Sequence, residues 1–263
     1  MNLRQKRQTM TMKKKVPMSK INSTRFFFSF TATILFLNVI VFSVTQKSDS
    51  SYYQKNPVYQ FETSMYKLNK LRNPDIVMFG DSHIQSARWN ELLGNYKVIN
   101  RGIAGDVTEG MKNRLTGIIK LHPKIVIFEG GINDVYNWVN PKLILNNIEY
   151  IIKTLKHNKI NVIVNSIFLS GKYWGKDWIK RNHPEIDVVK YNFERNKVVK
   201  NINKSLQKLC SENGAFFLDL NKRLEKNGFL NERFSRDYLH LNAKGYEIWA
   251  RELNKILRKI DER

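Results

Sequence analysis

The sequence predicts a three-layer α/β/α sandwich built on a parallel sheet of about five strands. Short, uninterrupted apolar segments recur at residues 75–79, 97–100, 125–128, 161–165 and 215–219. Segments with helical spacing of apolar residues separate them, and the main ones cover residues 85–93, 108–121, 141–156, 188–213 and 242–260. Continuously apolar strands that alternate with helices indicate a parallel sheet covered on both faces. Right-handed crossovers then place helices on each face.

Several predicted helices have recognisable ends. Pro141 stands at the start of its helix, where the first turn tolerates a residue without an N–H. Gly214 follows the helix predicted at 188–213 and fits a C-cap. A short helix-like stretch also covers residues 63–71. The last predicted helix has one apolar face, formed by Ile248, Trp249, Leu253, Ile256 and Leu257.

A basic N-terminal segment precedes an apolar one. Residues 1–25 carry eight Lys and Arg and no acidic residue, and residues 26–44 form a run of nineteen uncharged residues. That length approaches the ~20 residues of a membrane-spanning helix, and the positive-inside rule keeps the basic end in the cytoplasm. We therefore expect a cytoplasmic tail (1–25), a transmembrane signal-anchor helix (26–44), a linker (45–72) and a domain (73–263) outside the cytoplasm. The alternative is a signal peptide cleaved after Ser43 or Thr45, which would leave the domain secreted or periplasmic.

The net charge of +22 is high for a globular chain. Without the N-terminal tail the count is 45 − 8 = 37 basic against 23 acidic residues, or +14. A basic surface attracts nucleic acid, anionic lipid or acidic polysaccharide, and a composition rich in Lys, Asn and Ile also fits a biased genome. The sequence has no zinc-ligand spacing and no RNA-binding signature, so we expect no nucleic-acid partner. Cys210 is the single cysteine, which excludes an intrachain disulfide framework and a cysteine metal cluster.

Four polar motifs offer the groups that acyl transfer requires. They are Gly80-Asp81-Ser82, Gly105-Asp106, Gly131-Ile132-Asn133-Asp134 and Asp237-Tyr238-Leu239-His240. The first three directly follow the first three predicted strands, and functional groups of parallel sheets lie at the carboxyl ends of the strands. Together the motifs supply a nucleophile, oxyanion donors and a base with its orienting carboxylate.

Each of the first three motifs also has a simpler interpretation. Ser82 lies at a strand-to-helix turn as a candidate nucleophile, but Asp81 or Ser82 could merely cap that helix. Gly105 can turn an N–H toward an oxyanion or form an ordinary tight turn. The amide of Asn133 can donate to the same oxyanion or make an Asx turn. Their order along the chain favours a common site.

His240 is the candidate base among the five histidines. Asp237 precedes it by three residues, so a short loop can return the carboxylate to Nδ1–H and leave Nε2 for the serine proton. The other histidines lack an acid in an orienting position. His83 adjoins the candidate nucleophile, and we expect it to shape the substrate pocket.

The four motifs together resemble those of the GDSL-type, or SGNH, hydrolases, over roughly residues 73–257. The matching segments are 77–82, 99–106, 131–134 and 237–242. The second of them is similar to the platelet-activating-factor-acetylhydrolase-like and lysophospholipase-like members.

The resemblance implies a flavodoxin-like sandwich and a serine esterase with neither metal nor organic cofactor. In it Ser82 is the nucleophile, His240 the base and Asp237 its orienting acid. The Ser82 N–H, the Gly105 N–H and Asn133 form the oxyanion hole. His83 departs from the family pattern, because many members have leucine there.

The segment 168–187 follows the fourth strand and carries Tyr173, Trp174 and Trp178 among basic residues. These aromatic side chains could contact a sugar ring or a lipid interface, or the segment could pack on itself. We expect hydrolysis of O-acetyl, short-chain or lysophospholipid esters through an acyl-enzyme. One alternative is a membrane-anchored O-acyltransferase that acts on cell-envelope glycans with the same triad. A second is a non-catalytic module that binds an anion after the first strand.

Overall fold

The computed structural model describes residues 52–262 and contains a parallel sheet of five strands in the order β2-β1-β3-β4-β5. The strands are β1 (Ile76–Gly80), β2 (Val98–Gly102), β3 (Ile125–Glu129), β4 (Asn161–Asn165) and β5 (Phe216–Leu218). The first strand, β1, lies second from one edge of the sheet; the chain then forms the edge strand β2 and returns past β1 to β3. A crevice therefore opens beyond the carboxyl ends of β1 and its two neighbours. The predicted five-stranded α/β fold is confirmed.

The helices connect the strands and follow the last one. They are α1 (Pro57–Lys67), α2 (Ser82–Gln85), α3 (Trp89–Leu92), α4 (Thr108–Ile119), α5 (Ile132–Tyr136), α6 (Pro141–His157), α7 (Lys176–Asn182), α8 (Val188–Glu212), α9 (Asn221–Leu224) and α10 (Ala243–Asp261). A short antiparallel pair, β6 (Glu225–Lys226) and β7 (Phe229–Leu230), lies between α9 and a 3-10 turn at Glu232–Phe234.

Alternate residues of the strands enter two separate apolar cores. Val77 and Phe79 of β1 belong to the core that α4, α6 and α8 cover. Ile76 and Met78 point to the other core, where Trp249 of α10 is wholly buried. Burial on both faces explains why the strands read as uninterrupted apolar runs.

The helix predicted at 85–93 is instead divided into α2 and α3. The side-chain amide of Asn100 in β2 donates to the carbonyl of Ile84 at 3.0 Å, and the Trp89 indole donates to the same oxygen at 2.8 Å. These side-chain bonds satisfy a backbone carbonyl that a continuous helix would have paired internally.

Helix α1 lies within the segment expected to be a linker and begins earlier than the stretch predicted at 63–71. Its start has a local cause, because Asn56 caps the Val58 N–H at 3.0 Å and Pro57 occupies the first turn. Tyr66 donates its hydroxyl to the Gly102 carbonyl at 2.8 Å, which joins α1 to the edge strand β2.

Within residues 52–262, no helix is both long and apolar enough to cross a membrane. The run 26–44, which we expect to be a transmembrane anchor, lies outside the described residues. The anchor therefore stays a prediction.

Candidate active site

The sequence-predicted motifs meet in the crevice beyond β1, β2 and β3. Ser82 is the first residue of α2, directly after β1, and Asn133 lies in the first turn of α5 after β3. Gly80 allows this geometry because a Cβ there would collide with the carbonyl oxygen of Glu129 on the adjacent strand. The loop before α10 brings His240 to the same place.

A chain of hydrogen bonds joins Ser82, His240 and Asp237. Ser82 Oγ lies 3.0 Å from His240 Nε2, and His240 Nδ1 lies 2.7 Å from Asp237 Oδ2. The other oxygen, Asp237 Oδ1, accepts the backbone N–H groups of His240 at 2.7 Å and Leu239 at 3.1 Å. One carboxylate thus orients both the ring and the backbone of His240.

The loop that carries His240 is held on two sides. Tyr238 adopts a left-handed backbone with φ 70°, which is uncommon for a non-glycine residue and marks a constrained turn. Its carbonyl accepts the Gly171 N–H at 2.6 Å, and the Ser235 hydroxyl donates to the His240 carbonyl at 3.1 Å. The segment after β4 therefore fixes the turn between Asp237 and His240.

The electrostatics keep His240 neutral and Asp237 charged. Burial, followed by the electrostatic effect of the neighbouring His83, lowers the pKa of His240 against the opposing effect of Asp237. Partial burial alone would raise the pKa of Asp237, but hydrogen bonds from His240 and Leu239 outweigh it and lower that pKa. A neutral imidazole beside a carboxylate can accept the Ser82 proton at neutral pH.

The candidate oxyanion donors surround the same crevice. Gly105 has φ 73°, a conformation that side chains rarely adopt. Asn133 Nδ2 donates to the Asp106 carbonyl at 2.9 Å and lies 3.4 Å from Asp81 Oδ2, a distance too long for a strong bond. As the first residue of a helix, Ser82 has a backbone N–H with no acceptor in its own helix.

A buried ion pair supports the loop that contains Gly105. Arg114 Nε lies 2.8 Å from Asp106 Oδ2, and its terminal nitrogens donate to the carbonyls of Arg101 and Gly80 at 2.7 Å each. Arg114 thereby connects the ends of β1 and β2 to the loop. Burial raises the pKa of Asp106 to about 6, although Arg114 opposes the shift. Sequence reasoning missed Arg114 because no local pattern pairs it with Asp106.

The three aromatic residues predicted for substrate contact are placed differently. The Trp174 ring lies edge-on to His240, with centroids 6.1 Å apart, and the Tyr173 ring lies 5.5 Å from that of Tyr238. Trp178 is 62% exposed on α7 and contacts His183. Trp174 and Tyr173 therefore lie beside the candidate triad, and Trp178 faces solvent.

Two residues outside the predicted set, Asn192 and Tyr136, hold the segment that carries Trp174. Asn192 of α8 donates its amide to the Trp174 carbonyl at 3.0 Å and accepts the Tyr136 hydroxyl at 2.6 Å. The segment after β4 is therefore anchored to α8 rather than packed on itself alone. No signal in the sequence distinguished Asn192 from the other residues of α8.

His83 does not fit the expected place in the pocket wall, because its side chain is wholly buried. It lies next to His240, with ring centroids 5.4 Å apart. With Asp81 and Glu129 it forms the one group of three or more His, Cys, Asp or Glu side chains, among residues 52–262, whose ligand atoms all lie within 4.8 Å of one another. The group is closed to solvent and His83 already bonds Asp81, so we interpret it as a buried cluster of polar side chains rather than a metal site.

Comparison with known proteins agrees with this architecture. The model of the GDSL-like lipase/acylhydrolase family matches residues 78–248. Human platelet-activating factor acetylhydrolase IB subunit alpha1 is 25% identical over 201 residues, which cover 73% of this chain and 79% of that protein.

Two solved structures share the fold. A GDSL-like lipase from Bacteroides thetaiotaomicron superposes with a TM-score of 0.64 at 20% identity and covers 77% of this chain and 98% of its own. A lipase/acylhydrolase from Enterococcus faecalis has a TM-score of 0.54 at 21% identity, with 72% and 96% covered.

The fold is an α/β/α sandwich, and the order of the motifs places the candidate site at the carboxyl edge of its parallel sheet. The chain belongs to the GDSL-like lipase/acylhydrolase family and is a carboxylic ester hydrolase.

Proposed function

We propose that this chain hydrolyses acyl esters through a covalent acyl-enzyme on Ser82. In this proposal His240 is the general base, and Asp237 orients it. The observation that carries the proposal is the unbroken bond chain from Asp237 through His240 to Ser82, at 2.7 and 3.0 Å. These distances lie within the range in which a base activates a nucleophile.

The proposed reaction has two halves. His240 Nε2 takes the proton as Ser82 Oγ attacks the ester carbonyl carbon, and the carbonyl oxygen becomes an oxyanion. The Ser82 and Gly105 N–H groups and the Asn133 amide stabilise that charge. The tetrahedral intermediate expels the alcohol, which takes the proton from His240. Water then repeats the attack on the acyl-enzyme, with His240 as base, and releases the acid and free Ser82.

We propose acetyl, other short-chain or lysophospholipid esters as substrates. The aromatic residues beside His240 favour a small acyl group. Trp174 lies against both His240 and Tyr136, with a Tyr136–Trp174 centroid distance of 6.4 Å. The similar human protein is named for acetylhydrolase activity on platelet-activating factor, a name that fits a short acyl group.

A chain-length series of p-nitrophenyl esters, with acetylated glycans and a lysophospholipid, tests the proposal on wild type and Ser82→Ala. We expect highest turnover with acetyl or other short esters, or with the lysophospholipid, and none from Ser82→Ala. Retained activity in Ser82→Ala would contradict the assignment. Transfer of the acyl group to an added sugar, instead of to water, would identify the acyltransferase alternative.

We also propose that the domain works outside the cytoplasm beside an anionic membrane. The apolar run 26–44 supports this, as does an exposed apolar stripe on α1 and the residues after it. The stripe consists of Val58, Phe61, Met65, Leu68 and Leu71, and Phe61 and Leu68 are 61% and 69% exposed. Lys67, Lys70 and Arg72 lie among these residues and suit anionic headgroups.

A fluorophore at the stripe tests this location in the full-length chain. Cys210 is buried, so an environment-sensitive dye on Met65→Cys should label one site. After reconstitution into phosphatidylglycerol vesicles, its emission should shift to the blue, while the dye on Trp178→Cys should not respond. Equal emission from the two positions would contradict membrane contact.

A further inference from the structure

Three polar side chains are wholly buried directly behind the candidate base. Asp81 follows β1, His83 lies in α2 and Glu129 ends β3, and each is 0% exposed. His83 and Glu129 are 46 residues apart in the chain, so the sequence does not indicate that their side chains lie together. Buried polar groups require hydrogen-bond or charge partners, so the protonation states of these three side chains must suit one another.

His83 has oxygen acceptors at both ring nitrogens. Nδ1 lies 3.3 Å from Asp81 Oδ1, and Nε2 lies 3.2 Å from the backbone carbonyl oxygen of Leu239. Asp81 Oδ1 also accepts the His83 backbone N–H at 3.0 Å, as an ionised carboxylate does. A histidine ring satisfies two acceptors when both nitrogens carry hydrogen, which is the imidazolium form.

Glu129 completes the charge balance. Its Oε2 lies 3.8 Å from His83 Nδ1, and neither carboxyl oxygen has a hydrogen-bond partner. Burial, followed by the negative charge of Asp81, raises the pKa of Glu129 well above its usual range. A protonated Glu129, an ionised Asp81 and a positive His83 give a group with no net charge.

This group touches the candidate base through its ring and through its backbone. The centroids of His83 and His240 are 5.4 Å apart, and the carbonyl that His83 holds belongs to the residue just before His240. Phe168, after β4, lies 4.8 Å from the His83 ring, and Tyr246 of α10 donates its hydroxyl to the His83 carbonyl at 2.8 Å.

Several charged and titratable groups surround the His83–His240 pair. His83 faces Asp81, Glu129, His240 and Tyr246; His240 faces Asp237, Arg236 and His83. Among these, His83 is the group whose ring lies directly beside that of His240.

We propose that His83 is a positioning residue for the ester hydrolase: with Asp81 and protonated Glu129 it fixes the Leu239 carbonyl and keeps a positive charge behind His240. That charge disfavours a second positive ring, so His240 stays neutral and able to accept the Ser82 proton. The lowered pKa of His240, due to burial and then to His83, agrees with this role. The inference rests on the proposed catalytic role of His240.

Histidine ¹⁵N NMR on the full-length Ser82→Ala variant tests the protonation state without any need for activity. Near neutral pH, we expect both His83 nitrogens to be protonated and His240 to be neutral. The signals that disappear in the His83→Leu and His240→Ala variants assign the resonances of the two histidines. A neutral His83, or a stoichiometric divalent ion found in the purified protein by elemental mass spectrometry, would overturn the proposal.

The pH profile separates positioning from mere packing. In His83→Leu, the loss of the neighbouring charge should move the acid limb of kcat to higher pH and lower kcat, with little change in KM. Glu129→Gln replaces one neutral group by another, so its acid limb should stay at the wild-type pH. An unmoved limb in folded His83→Leu, or a shifted limb in Glu129→Gln, contradicts the network. Failure of the proposed function itself would instead appear as activity in Ser82→Ala.

Discussion

The Asp237 carboxylate bonds His240 twice, to the ring Nδ1 at 2.7 Å and to the backbone N–H at 2.7 Å. The first bond selects the tautomer in which Nε2 is free to accept a proton. The second shapes the turn that aims the ring at Ser82. Orientation and tautomer of the candidate base therefore depend on one side chain.

Asp237→Asn should lower kcat by about 10³–10⁴-fold, because an amide favours the wrong histidine tautomer and stabilises imidazolium poorly. The measurement is p-nitrophenyl acetate hydrolysis, with near-ultraviolet circular dichroism as the check on folding. Asp177→Asn, at an exposed residue of α7, is the matched control and should behave as wild type. A loss below tenfold in a folded Asp237→Asn protein would contradict the proposed role.

The activity should persist below the pH at which an ordinary histidine becomes charged. Burial and then His83 lower the pKa of His240 from the usual value of about 6.5. Because the neutral ring is the active form, kcat/KM should remain flat as the pH falls through that value and decline only beneath it. A profile of kcat/KM against pH measures this, and an acid limb above about 6.5 would contradict it.

Asn133→Ala should lower kcat by about 10²–10³-fold with a small effect on KM, because an oxyanion donor acts mainly in the transition state. Asn113→Ala, on the exposed surface of α4, serves as the control. Steady-state kinetics with a short-chain ester separates the two parameters. A rise in KM at constant kcat would show that Asn133 binds the ground state instead.

Arg114→Met should reduce the free energy of unfolding by about 3–5 kcal/mol, because it leaves the buried Asp106 without its partner. The side chains of Arg114 and Asp106 are 6% and 0% exposed, so water cannot replace the lost contacts. Urea unfolding followed by circular dichroism gives the difference. Lys112→Met, an exposed neighbour on the same helix, should change stability little. Equal stabilities of the two variants would contradict this account.

The strands could be predicted closely because their chemistry is local. Strand β3 was expected to end at Phe128, but it extends by one residue to Glu129. A charged residue is not typical of a buried strand, so the apolar pattern ends one residue early. The break between α2 and α3 could not be predicted, because it depends on Asn100 from a later strand. Helix α1 did have a local signal, the Asn56–Pro57 pair, which a reading of apolar spacing overlooks.

The four polar motifs could be found because each follows a strand or precedes a helix. The order of the motifs in the sequence does not show that they meet. The structure adds the 3.0 Å distance between Ser82 and His240, which are 158 residues apart in the chain. It also places His83 in the buried cluster with Asp81 and Glu129 instead of the expected pocket wall. Such pairings follow from tertiary contacts, and no periodic pattern of residues records them.

Fluorophosphonate labelling of the full-length protein tests the central claim most directly. We expect one covalent adduct by intact mass, located on Ser82 by peptide mass spectrometry, together with complete loss of ester hydrolysis. Ser82→Ala should take up no probe, while Ser86→Ala should label as wild type does. An adduct on another residue, or full hydrolytic activity after labelling of Ser82, would contradict the account.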